Sequence, residues 1–243
     1  MRKRLGGLVL AVALVVTGYW CGVGTRVSEG EEAVINGPAD LKGAYNITPS
    51  PYYAQKDYFT MKSTGSLVIL SHFPTLQQST EYSCGLAAAL MVLKYFRPQA
   101  KATEKELCQV MSTSTLTGTT TKGMVKYFNR DKWLVESSLT QRSPETEEEF
   151  KKFVVEHLHR QMPIMVENID WGGHWRVIIG YDDMGTETMA DDVLIMADPY
   201  DTTDHLQDGY GIASAQRFFY MWFDAKLFPQ NQRERPWLSV CPL

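Results

Sequence analysis

The chain has 243 residues, of which 44% are apolar and 21% charged, and its formal net charge is -4. This length suits one domain, or one domain with an N-terminal extension, and the apolar fraction is sufficient for a core without metal or disulfide staples. No long basic run follows residue 4. Because nucleic acid binding needs many phosphate-neutralising Lys and Arg side chains, no nucleic acid partner is expected.

The first 25 residues have the composition of an export signal. Three cations, Arg2 to Arg4, precede an apolar run from Leu5 to Val16 that continues more weakly to Val23. The strongly apolar part has the length of a signal-peptide core and is short for a bilayer span. We therefore expect residues 1–25 to be a signal peptide or membrane anchor. The protein is then exported, either secreted or in contact with a membrane through this segment alone.

The rest of the chain predicts a lead-in segment followed by one α+β domain. Residues 26–57 are rich in Gly, Pro, Glu and Tyr without clear periodicity, which indicates a linker or lead-in, and residues 58–243 are expected to form the domain. The apolar period is helical first and then changes to that of strands. The predicted helices are 84–96, 103–111, 120–130 and 146–160, and the predicted strands are 66–71, 163–167, 173–181 and 193–197, with 218–223 either strand or helix. This order predicts an N-terminal helical part packed on a C-terminal antiparallel sheet.

Neither the cysteines nor the acidic loop near residue 200 predicts a metal site. The four cysteines, Cys21, Cys84, Cys108 and Cys241, match no metal-binding spacing, and their disulfide pairing in an exported protein stays open. The loop offers oxygen atoms from Asp198, Asp201, Asp204 and Asp208, but it does not follow the calcium-loop pattern. Because a solvated acidic loop is the commoner case, we expect no metal and no cofactor.

Cys84 stands between a polar loop and the start of an apolar helix. A thiol at a helix N-terminus meets unpaired backbone N–H groups and the positive end of the helix dipole, and both favour the thiolate. The following Gly85 allows a substrate or another backbone segment to come close. An ordinary buried cysteine is the alternative, and the position of Cys84 alone does not decide between the two.

His174 lies between a glycine pair and an apolar strand, which places it at the end of an element beside a cleft. A thiol nucleophile needs an imidazole within hydrogen-bond reach, and that imidazole needs a third group to hold its tautomer. Asp198 and Asp182 are the candidates for the third group. Neighbouring antiparallel strands place Asp198 beside His174, whereas Asp182 lies roughly 27 Å away at the other end of the same strand. The sequence therefore favours Asp198.

Acyl transfer also needs hydrogen-bond donors for the oxyanion that develops on the carbonyl. The backbone N–H of Cys84 is one candidate, and the side-chain amide of Gln77 or Gln78 is the other, although a glutamine in a polar loop is more often solvated. The residues around the histidine are expected to line the substrate cleft, because aromatic rings beside flexible glycines suit an extended peptide. They are Trp171, Gly172, Gly173 and Trp175.

Three sequence blocks in a fixed order carry a family resemblance. They are Gln78-Ser-Thr-Glu-Tyr-Ser-Cys84-Gly, Gly173-His174-Trp-Arg-Val-Ile-Ile-Gly and Ala197-Asp198-Pro199. Over roughly residues 73–200 the chain resembles the papain-like cysteine peptidases that process the double-glycine leaders of bacteriocins. The resemblance implies a papain-like fold with Cys84 as nucleophile, His174 as general base and Asp198 as the residue that orients it. It also implies that Gln78, six residues before the cysteine, is the oxyanion donor.

The substrate stays open, because the chain departs from the leader-processing enzymes in two respects. No phosphate-binding loop of an export ATPase occurs, and the region after Tyr200 has no counterpart in the resemblance. We expect thiol-dependent hydrolysis of a peptide or amide bond in a peptide or protein substrate. The alternatives are acyl transfer of the phytochelatin-synthase type, whose Cys-Gly helix is similar, and a surface binding module with an inactive site.

Overall fold

The computed structural model describes residues 37–40, 46–47, 49–202 and 204–243. The expected export signal, residues 1–25, lies outside this part of the chain, as do residues 26–36 of the lead-in. None of the helices in the described ranges has the length and apolar character needed to cross a membrane.

A seven-stranded antiparallel sheet organises the domain. Its strands are β1 (Leu67–Ile69), β2 (Trp133–Ser137), β3 (Ile164–Asn168), β4 (His174–Asp182), β5 (Val193–Ala197), β6 (Tyr210–Ser214) and β7 (Trp237–Pro242). Six strands follow the order β2-β7-β3-β4-β5-β6, and β1 pairs with β4. The first half of β4 pairs with β3, its second half pairs with β1, and β5 runs along its other edge. The strand that begins with His174 is therefore held by three neighbours.

The described residues also contain five α-helices, and the first of them lies in the core. They are α1 (Cys84–Phe96), α2 (Glu104–Met111), α3 (Thr121–Phe128), α4 (Glu147–His159) and α5 (Ala215–Met221). Every residue of α1 from Cys84 to Leu93 is buried, and the helix packs against β4. A helix that is apolar on all sides has to lie inside the domain, as the sequence predicted.

The second helix begins at the capping box that the sequence indicated. The Thr103 hydroxyl accepts a hydrogen bond from Glu106 N at 3.3 Å, and the Glu106 carboxylate accepts one from Thr103 N at 2.9 Å. Two N–H groups at the helix start, which have no partner inside the helix, are satisfied in this way. The predicted boundary at Thr103 is therefore confirmed.

The predicted α+β class is confirmed. Strand β1 lies within the predicted strand 66–71, before the helices, and β2 separates α3 from α4, so the helical part is not continuous in sequence. The strands β2, β6 and β7 were not anticipated, and the ambiguous segment 218–223 belongs mainly to α5. Strand β7, from the end of the chain, lies between β2 and β3.

Candidate active site

Cys84 is the first residue of α1 and carries a buried, free thiol. The residue before it, Ser83, does not cap the helix with its side chain. Its hydroxyl instead accepts from Thr80 N at 3.1 Å and donates to Thr80 O at 3.2 Å. The N–H groups of the first helical turn, including that of Cys84, are therefore not taken by this hydroxyl, and such groups suit a developing negative charge.

His174 and Asp198 form a hydrogen-bonded pair at one end of the sheet. His174 Nε2 lies 2.7 Å from Asp198 Oδ1, because the register of β4 with β5 pairs Val177 with Ala197. The His174 ring is only 3% exposed, and the Cys84 sulfur is close enough to raise the pKa of the imidazole. Since Nε2 is engaged by the carboxylate, Nδ1 is the ring nitrogen that remains available to the sulfur. Asp182 lies at the opposite end of β4.

The charges around the imidazole favour its protonated form. Burial by itself disfavours the imidazolium, but the Asp198 carboxylate and the Cys84 sulfur outweigh burial and raise the pKa of His174 to about 9. Burial likewise opposes ionisation of Asp198, yet His174, Arg176 and the Tyr200 N–H hold the pKa of Asp198 below its usual value. The pair is therefore an imidazolium and a carboxylate near neutral pH. An imidazolium beside a thiol is the arrangement that stabilises a thiolate.

Gln78 is buried, and its backbone joins two loops of the site. Gln78 N donates to Pro199 O at 2.9 Å, and the side-chain Nε2 donates to Thr80 O at 2.7 Å. An amide NH₂ carries two hydrogens, so the second remains for another acceptor. Gln77, the other candidate, accepts at Oε1 from Gln207 Nε2 at 3.4 Å. Burial of Gln78 in the loop that precedes the nucleophile fits an amide held for a specific acceptor better than a solvated loop glutamine.

Trp171 covers the imidazole of His174 with an exposed aromatic ring. The ring meets that of His174 edge to face with centroids 4.9 Å apart, and it lies 5.0 Å from the ring of Tyr200. Trp171 is 66% exposed and has a φ of 51°, and Gly172 follows with a φ of 92°. A bulky residue with positive φ is uncommon, and such backbone concentrates at functional sites. Of the four residues expected to line the cleft, Trp171 is the one that presents a large exposed surface.

Trp175 does not line the cleft; it is a core residue. It is 1% exposed, its indole Nε1 donates to Thr119 O at 2.8 Å, and its ring packs near that of Phe228. Thr119 also packs against Gly85, where a Cβ would lie 2.8 Å from the Thr119 Cβ. The close approach expected at Gly85 is thus made by Thr119, which joins the nucleophile helix to the buried face of β4.

A buried carboxyl pair, not anticipated from the sequence, lies behind the loop that leads to His174. Glu167 is 0% exposed, Asp224 is 4% exposed, and the two side chains are within hydrogen-bond reach. Both Glu167 oxygens and Asp224 Oδ2 have no conventional donor in the described part of the chain. A Cβ on Gly173 would lie 2.6 Å from Glu167 Oε1, so Gly173 packs against this pair instead of lining the cleft.

The Glu167 carboxyl group keeps its proton near neutral pH. Burial, followed by the charges of Asp224 and Cys84, raises the pKa of Glu167 to about 10. Two carboxylates this close in a buried site cannot both ionise near neutral pH. The sequence signal was a single glutamate at the end of the apolar run that became β3. Its partner lies 57 positions further along the chain, too far for any local pattern to reveal.

The acidic loop and the remaining cysteines do not form a metal site within the described residues. No group of three or more His, Cys, Asp or Glu side chains is arranged there to hold an ion. Asp201 is buried and accepts from Gly209 N at 2.9 Å. Burial raises the pKa of Asp201 to about 7 and that of Asp208 to about 6. Cys108 and Cys241 are free thiols.

The chain is similar to a protein-family model and to solved structures of peptidase domains. A family model described as "Peptidase_C39 like family" matches residues 70–222, which include Gln78, Cys84, His174 and Asp198. The chain has 17% identity to the peptidase domain of Streptococcus ComA, a bifunctional ABC transporter involved in quorum sensing, with a TM-score of 0.46, covering 70% of this chain and 97% of that one. For the peptidase domain of Streptococcus mutans ComA the identity is 13% and the TM-score 0.35, covering 70% and 99%. A comparison with curated proteins finds no match.

Proposed function

The chain belongs to the Peptidase_C39 like family, and from this premise we propose that it hydrolyses a peptide or amide bond through an acyl-enzyme on Cys84. The observation that carries the proposal is the hydrogen bond between His174 Nε2 and Asp198 Oδ1 at 2.7 Å, on an imidazole whose pKa is also raised by the neighbouring Cys84 sulfur. A nucleophile, a base and an orienting carboxylate in this sequence of contacts are the minimum that thiol-dependent acyl transfer requires.

In the acylation step, the Cys84 thiolate attacks the carbonyl carbon of the scissile bond. The oxygen becomes an oxyanion, which accepts hydrogen bonds from Cys84 N and from the second hydrogen of Gln78 Nε2. When the tetrahedral adduct collapses, the carbon–nitrogen bond breaks and the imidazolium of His174 gives its Nδ1 proton to the leaving amine. A thioester and a neutral imidazole remain.

In the deacylation step, the neutral imidazole accepts a proton from a water molecule as that water attacks the thioester. The second tetrahedral adduct expels the thiolate and releases a carboxylic acid, which restores the thiolate–imidazolium pair. Throughout the cycle, Asp198 accepts a hydrogen bond from Nε2–H, which keeps Nδ1 directed at the sulfur. Trp171 contributes its exposed ring to substrate contact beside His174.

The test is to detect the acyl-enzyme directly. Purified full-length protein is mixed with p-nitrophenyl acetate and with a mixture of fluorogenic peptides, beside the Cys84→Ser and His174→Ala variants. We expect a burst of p-nitrophenolate, an acetyl group on Cys84 by peptide mass, and turnover of at least one peptide. Both variants should lack the burst. If wild type and variants are equally inert and no adduct forms, the chain is a binding module and the proposal fails.

The same experiment separates hydrolysis from acyl transfer. An amine acceptor such as glycinamide, added in excess, would divert the thioester of a transferase into a new amide. In a hydrolase the carboxylic acid remains the main product. Predominant amide formation would replace the hydrolase proposal by the phytochelatin-synthase-like alternative.

We also infer that the enzyme meets its peptide or protein substrate outside the cytoplasm. The support is the charged and apolar composition of residues 1–25. Fractionation of cells that produce the full-length chain, beside a variant with Arg2, Lys3 and Arg4 changed to Glu, tests this directly. Equal distribution of the two proteins between cytoplasm and exported fractions would count against export.

A further inference from the structure

A short part of the lead-in lies against the loop that carries Gln78. Gly37 and the 3₁₀ turn Pro38–Asp40 precede the family match by about 30 residues. Gly37 N donates to Ser79 O at 3.0 Å, and Ala39 N donates to Gln78 O at 3.2 Å. Gly37 and Pro38 are both buried. This segment therefore makes backbone hydrogen bonds to the loop that precedes Cys84.

The contact at Gly37 leaves no room for a side chain. A Cβ on this residue would lie 2.5 Å from the Ser79 carbonyl carbon and 2.6 Å from both Gln78 O and Thr80 N. These are backbone atoms, which cannot move aside as the end of a flexible side chain can. Gln207 Nε2 donates to Pro38 O at 2.7 Å. The segment is thus held between the loop 77–80 and the loop that contains Gln207.

Gln78 belongs to no helix or strand, so its orientation depends on these contacts. Its N–H is held by Pro199 O, next to Asp198, and its C=O is held by Ala39 N. With both peptide groups engaged on opposite sides, rotation of the backbone at Gln78 is restricted, and the direction of its side-chain amide is restricted with it.

We propose that Gly37–Ala39 is a positioning segment of the active site, which clamps the Gln78 backbone so that its amide is aimed at the oxyanion. The inference rests on the proposed function, in which Gln78 is an oxyanion donor. It has a consequence for the lead-in: cleavage of the chain after Ala39 would remove a support of the catalytic machinery.

The test compares Gly37→Val with Gly65→Val in the full-length protein. No described atom lies within 4 Å of the Cβ position at Gly65, so the same change there meets open space. Acylation by p-nitrophenyl acetate is measured beside alkylation of Cys84 by iodoacetamide, counted on the Cys84 peptide by mass. Alkylation needs the thiolate but forms no tetrahedral oxyanion, so it reports on the thiolate–imidazolium pair without Gln78.

We expect Gly37→Val to slow acylation by roughly 10-fold to 100-fold, toward the loss caused by Gln78→Ala, and to leave alkylation unchanged. The double variant Gly37→Val/Gln78→Ala should be no slower than Gln78→Ala alone, because both changes act through one amide. Gly65→Val should match wild type in both reactions.

The proposal is overturned if Gly37→Val slows alkylation as much as acylation, or if its loss adds to that of Gln78→Ala. Should Gly37→Val fail to fold, Gln207→Ala removes the hydrogen bonds to Pro38 O and to Gln77 Oε1, and Gln77→Ala, which loses only the second, is its control. An acylation rate that Gln207→Ala leaves unchanged would equally overturn the proposal. A wild type that forms no acyl-enzyme would instead refute the proposed function, since Gly37 affects only the rate of that step.

Discussion

Replacement of Asp198 by asparagine tests the electrostatic basis of the site. The change keeps the size of the side chain and removes its charge. In the wild type, the carboxylate opposes the effect of burial on His174 and raises the pKa of the imidazole from 6.5 to about 9. Without that charge, burial is left as the largest influence, and the pKa of His174 should fall below 6.5.

The magnitude follows from these two values. At pH 8, a group with a pKa of about 9 is about nine-tenths protonated, whereas one with a pKa of 6.5 is about 3% protonated. The imidazolium population should therefore fall at least about thirtyfold in Asp198→Asn, and the rate of acylation at pH 8 should fall with it. The difference between the two pKa values corresponds to about 3 kcal/mol.

The same shift predicts how folding stability depends on pH. Because the folded-state pKa of His174 is raised, its contribution to the free energy of unfolding is fully present below about pH 6.5 and is lost as pH rises through about 9. The free energies of unfolding of wild type and Asp198→Asn, measured with urea, should therefore differ most at about pH 6 and converge toward pH 9.

The direct assay is a titration of ¹⁵N-labelled histidine followed by NMR, beside the pH profile of Cys84 alkylation. Asp182→Asn is the matched control, since Asp182 lies at the far end of β4, where its Oδ1 accepts from Met184 N at 2.9 Å. Asp182→Asn should leave both the NMR titration of His174 and the pH profile of Cys84 alkylation unchanged. A wild-type His174 that titrates near 6.5, or a titration that Asp198→Asn does not move, would refute the reasoning.

Three further predictions concern the oxyanion donor, the carboxyl pair and the helix cap. Gln78→Ala should lower kcat by about 10² to 10³ with alkylation of Cys84 unchanged, whereas Gln77→Ala should be nearly silent; equal losses in the two variants would remove Gln78 from the mechanism. Because the pKa of Glu167 is raised to about 10, the folded protein keeps a proton that the unfolded chain releases above about pH 4.5. Wild type should therefore lose stability relative to Glu167→Gln as pH rises from about 5 to 9, and parallel dependences of the free energy of unfolding on pH would contradict a Glu167 that keeps its proton. Thr103→Ala should lower the free energy of unfolding by about 1 kcal/mol, and Thr103→Ser, which keeps the hydroxyl, should retain most of it.

Features that depend on local chemistry could be predicted from the amino-acid sequence. The helix from Cys84 to Phe96 has the predicted bounds, because its apolar residues and the following proline act within a few positions. The capping box at Thr103 is local for the same reason. The proximity of Asp198 to His174 needed only one non-local assumption, that two neighbouring strands pair antiparallel, and the observed register bears it out.

Features that depend on distant pairing were decided by the tertiary structure alone. Strand β7 lies between β2 and β3 although some 100 residues of chain separate it from β2, and its pattern reads as a strand only beside those partners. The pairing of Glu167 with Asp224 and the contact of Gly37 with Ser79 have the same origin. Trp171 and Trp175 look equivalent in sequence, but Trp175 lies in β4, where packing on the sheet buries its ring, whereas Trp171 lies in the turn before that strand and its ring stays exposed.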